Sequence, residues 1–294
     1  SSNAEKSEAP KEEIWVNDFV KFFEAPIDWF FKKVLGIYLD GDDDDTLPET
    51  ELFELNALQQ WGFKNELLKL KESSPEKLDA LIQSYIKQGK LPLKNLGRAS
   101  LEKMLEEIKP VKEKLKAETN DLDPESKLAD VEIGNITIKG EIENVYPGKL
   151  VSWAFSDGQK YELRGFLESL LLRVDRQISS AIHIKKDGNG KVIQIMTEDE
   201  SAERLTKLLA YLEQGKKAPL KFSLDAAKAI KDQDINDEKT LKKALEAFRK
   251  EAYKTHEGDF ENKYMQVLFD EGYFDDLSRE DLKAIQELAG LLNL

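Results

Sequence analysis

The chain has 294 residues, 40% hydrophobic and 35% charged, with a formal net charge of −14. That suffices for one large domain or two ordinary ones, and it excludes a free-standing, non-specific nucleic-acid binder, which would be basic. There is no cysteine and there are only two histidines, His183 and His256, which removes disulfides, thiolate metal sites, cysteine nucleophiles and a histidine-rich metal site.

Ser1-Ser-Asn-Ala reads as an expression-tag remnant, and residues 1–12 as a flexible lead. Trp15, Phe19, Phe22 and Phe23 recur at helical spacing and are expected to form a core stripe. Pro26 suits the first turn of a second helix, over Ile27 to Leu35. Ile37 to Leu39 is expected to be extended. Gly41-Asp-Asp-Asp-Asp45 lacks the alternation and the closing glutamate of a calcium loop and reads as a solvated acidic loop. Helices are expected at 53–60, 62–71, 75–88 and 97–117, which makes residues 13–117 a helical region. Residues 118–127 are polar, turn-rich and expected to be a linker.

The period then changes. Val131, Ile133, Ile136, Ile138, Ile142 and Val145 alternate around a Gly134-Asn135 turn, and Lys149 to Phe155 follows as a third strand. A helix is expected over 161–178. Residues 181–185 and 192–196 flank Asp187-Gly-Asn-Gly190 as a second hairpin. Thr197 and Glu200 have capping-box spacing and open a helix to Gln214. Helices are expected at 238–254, 260–270 and 278–290, the last starting at Ser278 and Asp281. The expected class is therefore α/β (α+β), with a mixed sheet over 128–294 beside the helical region. No apolar run reaches the roughly 18 residues that span a bilayer.

The most informative stretch is Ile138 to Ala154, two strands joined by Pro147-Gly148. Metal-dependent DNA hydrolysis needs carboxylates on neighbouring strands and a nearby lysine. Restriction-endonuclease-like nucleases supply them as an Asp on one strand, then Asp/Glu-x-Lys on the next. Here Gly140-Glu-Ile-Glu143 resembles the first half and Leu150-Val-Ser152-Trp-Ala154 the second. Glu143 retains a charge. Ser152 is a poor ligand and Ala154 holds none. The frame therefore reads as a degenerate nuclease core without a catalytic or metal site. The competing reading is a weak metal-dependent nuclease with a displaced site built from Glu141, Glu143 and Glu162.

Several blocks together resemble the C-terminal region of the RecC family, the gamma subunits of exodeoxyribonuclease V. They are Phe19-x-x-Phe-Phe-Glu-Ala-Pro26; Glu54-Leu55-Asn56-x-Leu58 with Trp61; Ile138-x-Gly140 with Leu150-Val-Ser-Trp153; Ile184-Lys-Lys-Asp-Gly188; Tyr211 with Gly215, Ala218 and Pro219; and Glu257-Gly-Asp259 with Tyr264 and Leu268. The resemblance implies a cytoplasmic, non-catalytic domain of a RecBCD helicase–nuclease. It would scaffold RecB-like and RecD-like subunits and guide or split DNA strands in double-strand-break repair and recombination. It implies no cofactor and no membrane partner. A protein-interaction scaffold that never touches DNA is the third reading.

Three lysines, Lys185, Lys186 and Lys191, decorate the second hairpin and are the candidate DNA contacts. Lys242, Lys243, Arg249, Lys250 and Lys254 are interleaved with Glu246 and Glu251, so that helix reads as a salt-bridged surface. Trp15, Trp29 and Trp61 read as core residues, with partner contact as the alternative.

Overall fold

A computed structural model describes residues 11–39, 57–70, 75–88, 98–253 and 261–294. The acidic loop Gly41–Asp45, the block Glu54–Asn56, the block Glu257–Asp259 and His256 lie outside those residues.

The described residues open with a strand, β1 (Glu12–Trp15), which turns directly into α1 (Val16–Glu24). Val16, Phe19, Val20, Phe22 and Phe23 fall on one helical stripe and are buried. Their rings meet edge to face, Phe22 on Phe23 at 4.8 Å and Phe19 on Phe23 at 5.2 Å. Pro26 occupies the first turn of α2 (Pro26–Trp29), which runs into a π-helical turn, Phe30–Val34. Trp15 does not join the aromatic stripe: it is the last residue of β1 and is 64% exposed. Residues 36–39 carry no regular structure and pair with no strand among the described residues; Gly36 is left-handed at φ 65° and the Ile37 N–H donates back to the Phe31 carbonyl, closing the helix end.

Next comes a helical layer of α3 (Ala57–Lys69), α4 (Pro75–Lys87) and α5 (Arg98–Thr119). One helix thus replaces the two expected on either side of Trp61, because Gly62 is tolerated within a helix whose Phe63 and Leu67 are buried. The linker is shorter than expected, since β2 (Glu125–Ile133) already begins inside it.

The sheet is built around β3 (Ile136–Tyr146). β2 pairs antiparallel along most of its length, from Ile133↔Ile136 to Glu125↔Val145. Its other edge is shared: β1 runs parallel at Ile136–Lys139, and β4 (Lys149–Trp153) runs antiparallel at Val145–Tyr146. β5 (Ser180–Ile184) lies parallel to β4, and β6 (Gly190–Ile193) closes a hairpin on β5. The result is a mixed six-stranded sheet.

The inner face of the sheet carries Ala129, Val131, Ile138, Ile142 and Leu150 and packs with α1, α6 (Gln159–Val174) and α7 (Glu198–Gly215). Thr197 caps α7 through the expected box with Glu200. The remaining helices complete the main core: α8 (Leu224–Ile230), α9 (Glu238–Ala252), α10 (Lys263–Asp270) and α11 (Arg279–Leu291). α8 was not expected; Ser223 caps it by accepting from the Ala226 N–H. The described residues cover the outer face only in part. Val151, Ile182, Ile184 and Tyr146 pack there against Leu68 of α3 and Val111 of α5. Two polar links hold this layer down: Trp153 Nε1 donates to Asn65 Oδ1 at 2.8 Å, and Lys149 reaches Glu118 at 2.7 Å.

Candidate functional site

Because β1 is parallel and β4 antiparallel to β3, the C-terminal ends of both point into the gap between them along β3. This gap holds the residues the sequence singled out. Glu141 and Glu143 lie on β3 at the gap, both exposed. Asn144, in a left-handed conformation at φ 62°, ends the β3–β4 ladder just before Val145↔Leu150. Ser152 is on the adjacent strand β4, and Ala154 follows its end. The expected strand–turn–strand and its placement on neighbouring strands are therefore present.

The chemistry at these positions is already committed. Ser152 Oγ and His183 Nδ1 share a hydrogen bond of 2.9 Å across the parallel ladder, where the two residues are register partners. His183 is buried, and burial lowers its pKa, opposed by Glu162 and reinforced by Lys185 and Lys191, which favours the neutral ring. Behind Ser152 stands Gly165 of α6: any Cβ there would collide with Ser152 Oγ. Ala154 is 2% exposed, and its N–H donates to the Ile184 carbonyl at 3.0 Å.

Glu162, grouped with Glu141 and Glu143 as a possible displaced site, is on α6 and forms an ion pair with Lys191 of β6. Among the described residues no three His, Cys, Asp or Glu side chains stand close enough together to hold a metal ion.

A second charged cluster lies near Glu143 and was not anticipated. Arg164 of α6 contacts Glu24 of α1 at 3.3 Å, Glu168 one turn along at 3.5 Å, and Asn17 Oδ1 at 3.2 Å. Burial pushes the Glu168 carboxyl up to about 7, against the opposing pull of Arg164, with Glu24 and Glu143 adding to the rise. The i,i+4 spacing of Arg164 and Glu168 was legible in sequence. The reach to α1 was not, because it depends on how two helices 140 residues apart pack.

The lysine hairpin is braced. Gly188, at φ +81°, backs onto α5 so closely that a Cβ would lie 2.8 Å from the Pro110 carbonyl oxygen. Lys186 pairs with Asp157 and Lys191 with Glu162; Lys185 forms no ion pair among the described residues. On α9, none of Lys242, Lys243, Glu246 or Lys250 forms an ion pair among the described residues, so the salt-bridged surface expected there is not what the side chains form. Glu251 turns inward: burial raises its carboxyl to about 7, and its Oε2 has no hydrogen-bond partner among the described residues.

These features define a mixed α/β domain in which helices flank a mixed sheet around a strand–turn–strand frame. The family model for the RecC C-terminal domain matches residues 11–234, and the chain belongs to that family. A curated relative, the RecBCD enzyme subunit RecC of Haemophilus influenzae, is 29% identical over 159 residues. That match covers 54% of this chain and 12% of the relative, so the chain is similar to a small part of a much longer protein. No helix among the described residues is long and apolar enough to cross a membrane.

Proposed function

We propose that this chain is a non-catalytic domain of a RecC-like subunit in a RecBCD-type helicase–nuclease. Its core is a restriction-endonuclease-like frame kept for architecture. It scaffolds RecB-like and RecD-like subunits and guides or parts DNA strands during double-strand-break repair and recombination. The observation that carries this reading is the state of the β3–β4 frame. The position for a metal-binding carboxylate is a serine whose hydroxyl is taken by His183, and the position for the lysine is a buried alanine. Family membership supports the parent assembly. In this reading the β5–β6 hairpin faces a DNA strand, with Lys185 as the freest of its three cations.

The test uses the full-length subunit assembled with its RecB-type and RecD-type partners. Lys185→Glu with Lys186→Glu should leave assembly intact and slow duplex unwinding several-fold, with the deficit shrinking at higher salt, because phosphate contacts are screened. Normal assembly with unchanged unwinding removes the hairpin from the DNA path.

A further inference from the structure

The outer face of the sheet divides in two. Over β4 and β5 it is apolar and covered by α3 and α5. Over β1, β3 and β2 the alternation sends a different set of side chains outward, and the helices that pack on these strands, α1, α6 and α7, lie on the inner face. The strand registers put Trp15 beside Lys139, Lys139 opposite Asp130, and Glu141 opposite Leu128, all pointing the same way.

Two large apolar groups stand on this bare face. Trp15 is 64% exposed and Leu128 is 68% exposed. Two inter-strand spacings and one two-residue step place them on the order of 12 Å apart. Single exposed apolar residues are common on any protein, but here a tryptophan and a leucine share one sheet face left open among the described residues, which suits it to an interaction surface. Tryptophan is also the side chain most often found as an interface anchor.

The surrounding charge identifies the partner's chemistry. Lys11 pairs with Glu132 at 2.9 Å and Lys139 with Glu13 at 2.6 Å. Lys139 also attracts Asp130 and Glu132, so the four carboxylates of this face, Glu13, Asp130, Glu132 and Glu141, share two ammonium groups, Lys11 and Lys139, and leave it net negative. A nucleic-acid backbone would be repelled, since stacking platforms for bases sit in positive grooves. A protein surface that offers an apolar recess within a ring of Lys or Arg is complementary in both shape and sign.

We propose that the outer face of β1–β3–β2, anchored by Trp15 and Leu128, is the docking surface for a basic partner protein. Resting on the reading above, that partner is a subunit of the same assembly. The exposed position of both anchors means that replacing them should not disturb the fold.

Two variants of the full-length subunit test this: Trp15→Ser with Leu128→Ser, and Asp130→Lys with Glu141→Lys. Each is titrated separately against the purified RecB-type and RecD-type subunits, at low and high salt, with thermal unfolding measured alongside. The expected result is wild-type unfolding for both variants and about tenfold or greater loss of affinity for one of the two subunits. The charge variant's deficit should shrink as salt rises. Wild-type affinity of both variants for both subunits overturns the assignment while leaving the subunit reading intact. Self-association of the unaltered subunit that Trp15→Ser abolishes, with subunit binding untouched, assigns the face to a second copy and also overturns it. If the unaltered subunit binds neither partner, the assembly reading itself fails, and the assignment fails with it.

Discussion

The two halves of the sheet's outer face are built from the same kind of strand but end differently. Over β4–β5 the outward positions are Val151, Ile182 and Ile184, and two helices lie on them. Over β1–β3–β2 the outward positions include Glu13, Trp15, Leu128, Asp130, Lys139 and Glu141, and the helices on these strands keep to the other side. The inner faces of both halves feed one continuous core. What separates the halves is therefore the identity of every second residue. Apolar outward residues recruit a helical layer, whereas charged ones leave a surface on which any exposed apolar group is available to a partner.

The sharpest way to break this contrast is to place the same charge on each half. Val151→Asp puts an unpaired carboxylate beneath α5 at a fully buried position. It should cost about 3 kcal/mol or more in urea unfolding. Trp15→Asp, on the bare half, should change stability by less than about 0.5 kcal/mol. Similar losses at both positions would mean the bare half is as tightly packed as the covered one.

An intermediate effect comes from the cluster between α1 and α6. Glu168 is raised to about 7 in the folded chain from an ordinary value of 4.5. Between those values the folded state holds a proton that the unfolded state has lost. Rising pH therefore favours unfolding across that window, and the deficit persists above it. Glu168→Gln, neutral throughout, should recover on the order of 2 kcal/mol at pH 8 relative to pH 4. Glu251, raised in the same sense, keeps part of the pH dependence in the variant. Unfolding curves at the two pH values check this; an unchanged slope would show that Arg164 keeps Glu168 ionised.

A smaller effect belongs to the hairpin brace. Gly188→Ala meets both a positive φ and the Pro110 carbonyl. It should cost about 1–2 kcal/mol and raise amide exchange selectively in β5, β6 and the middle of α5. Exchange confined to the turn would mean the hairpin stands free of the helix. The smallest expected change is that of Trp15→Asp, which makes that variant a clean probe of docking.

Local signals in the sequence located most elements. α7 and α11 begin at capping boxes, Thr197–Glu200 and Ser278–Asp281, and the β2–β3 and β3–β4 turns sit at Gly134-Asn135 and Pro147-Gly148. What stayed hidden is non-local. β1 has only four residues after a polar lead, and its partner Ile136–Lys139 is more than 120 residues away, so nothing nearby announces a parallel strand. Trp15 shows the consequence: its spacing from Phe19 and Phe22 is helical, but the strand ends on it. At the candidate site, the residue types at Glu143, Ser152 and Ala154 were legible. The contact that fixes Ser152 was not, because His183 arrives through the β4–β5 register and Gly165 through the packing of α6. The lysines of the hairpin were visible as charges, yet which of them are already neutralised depended on Asp157 and Glu162 lying within reach.

The central claim is a nuclease-like frame without nuclease chemistry. It is tested most directly by incubating the purified chain with single-stranded DNA and Mg²⁺ or Mn²⁺, beside a Glu143→Ala variant. The account predicts no cleavage above a protein-free control for either protein with either metal. Metal-dependent cleavage by the unaltered chain that disappears in Glu143→Ala would contradict it.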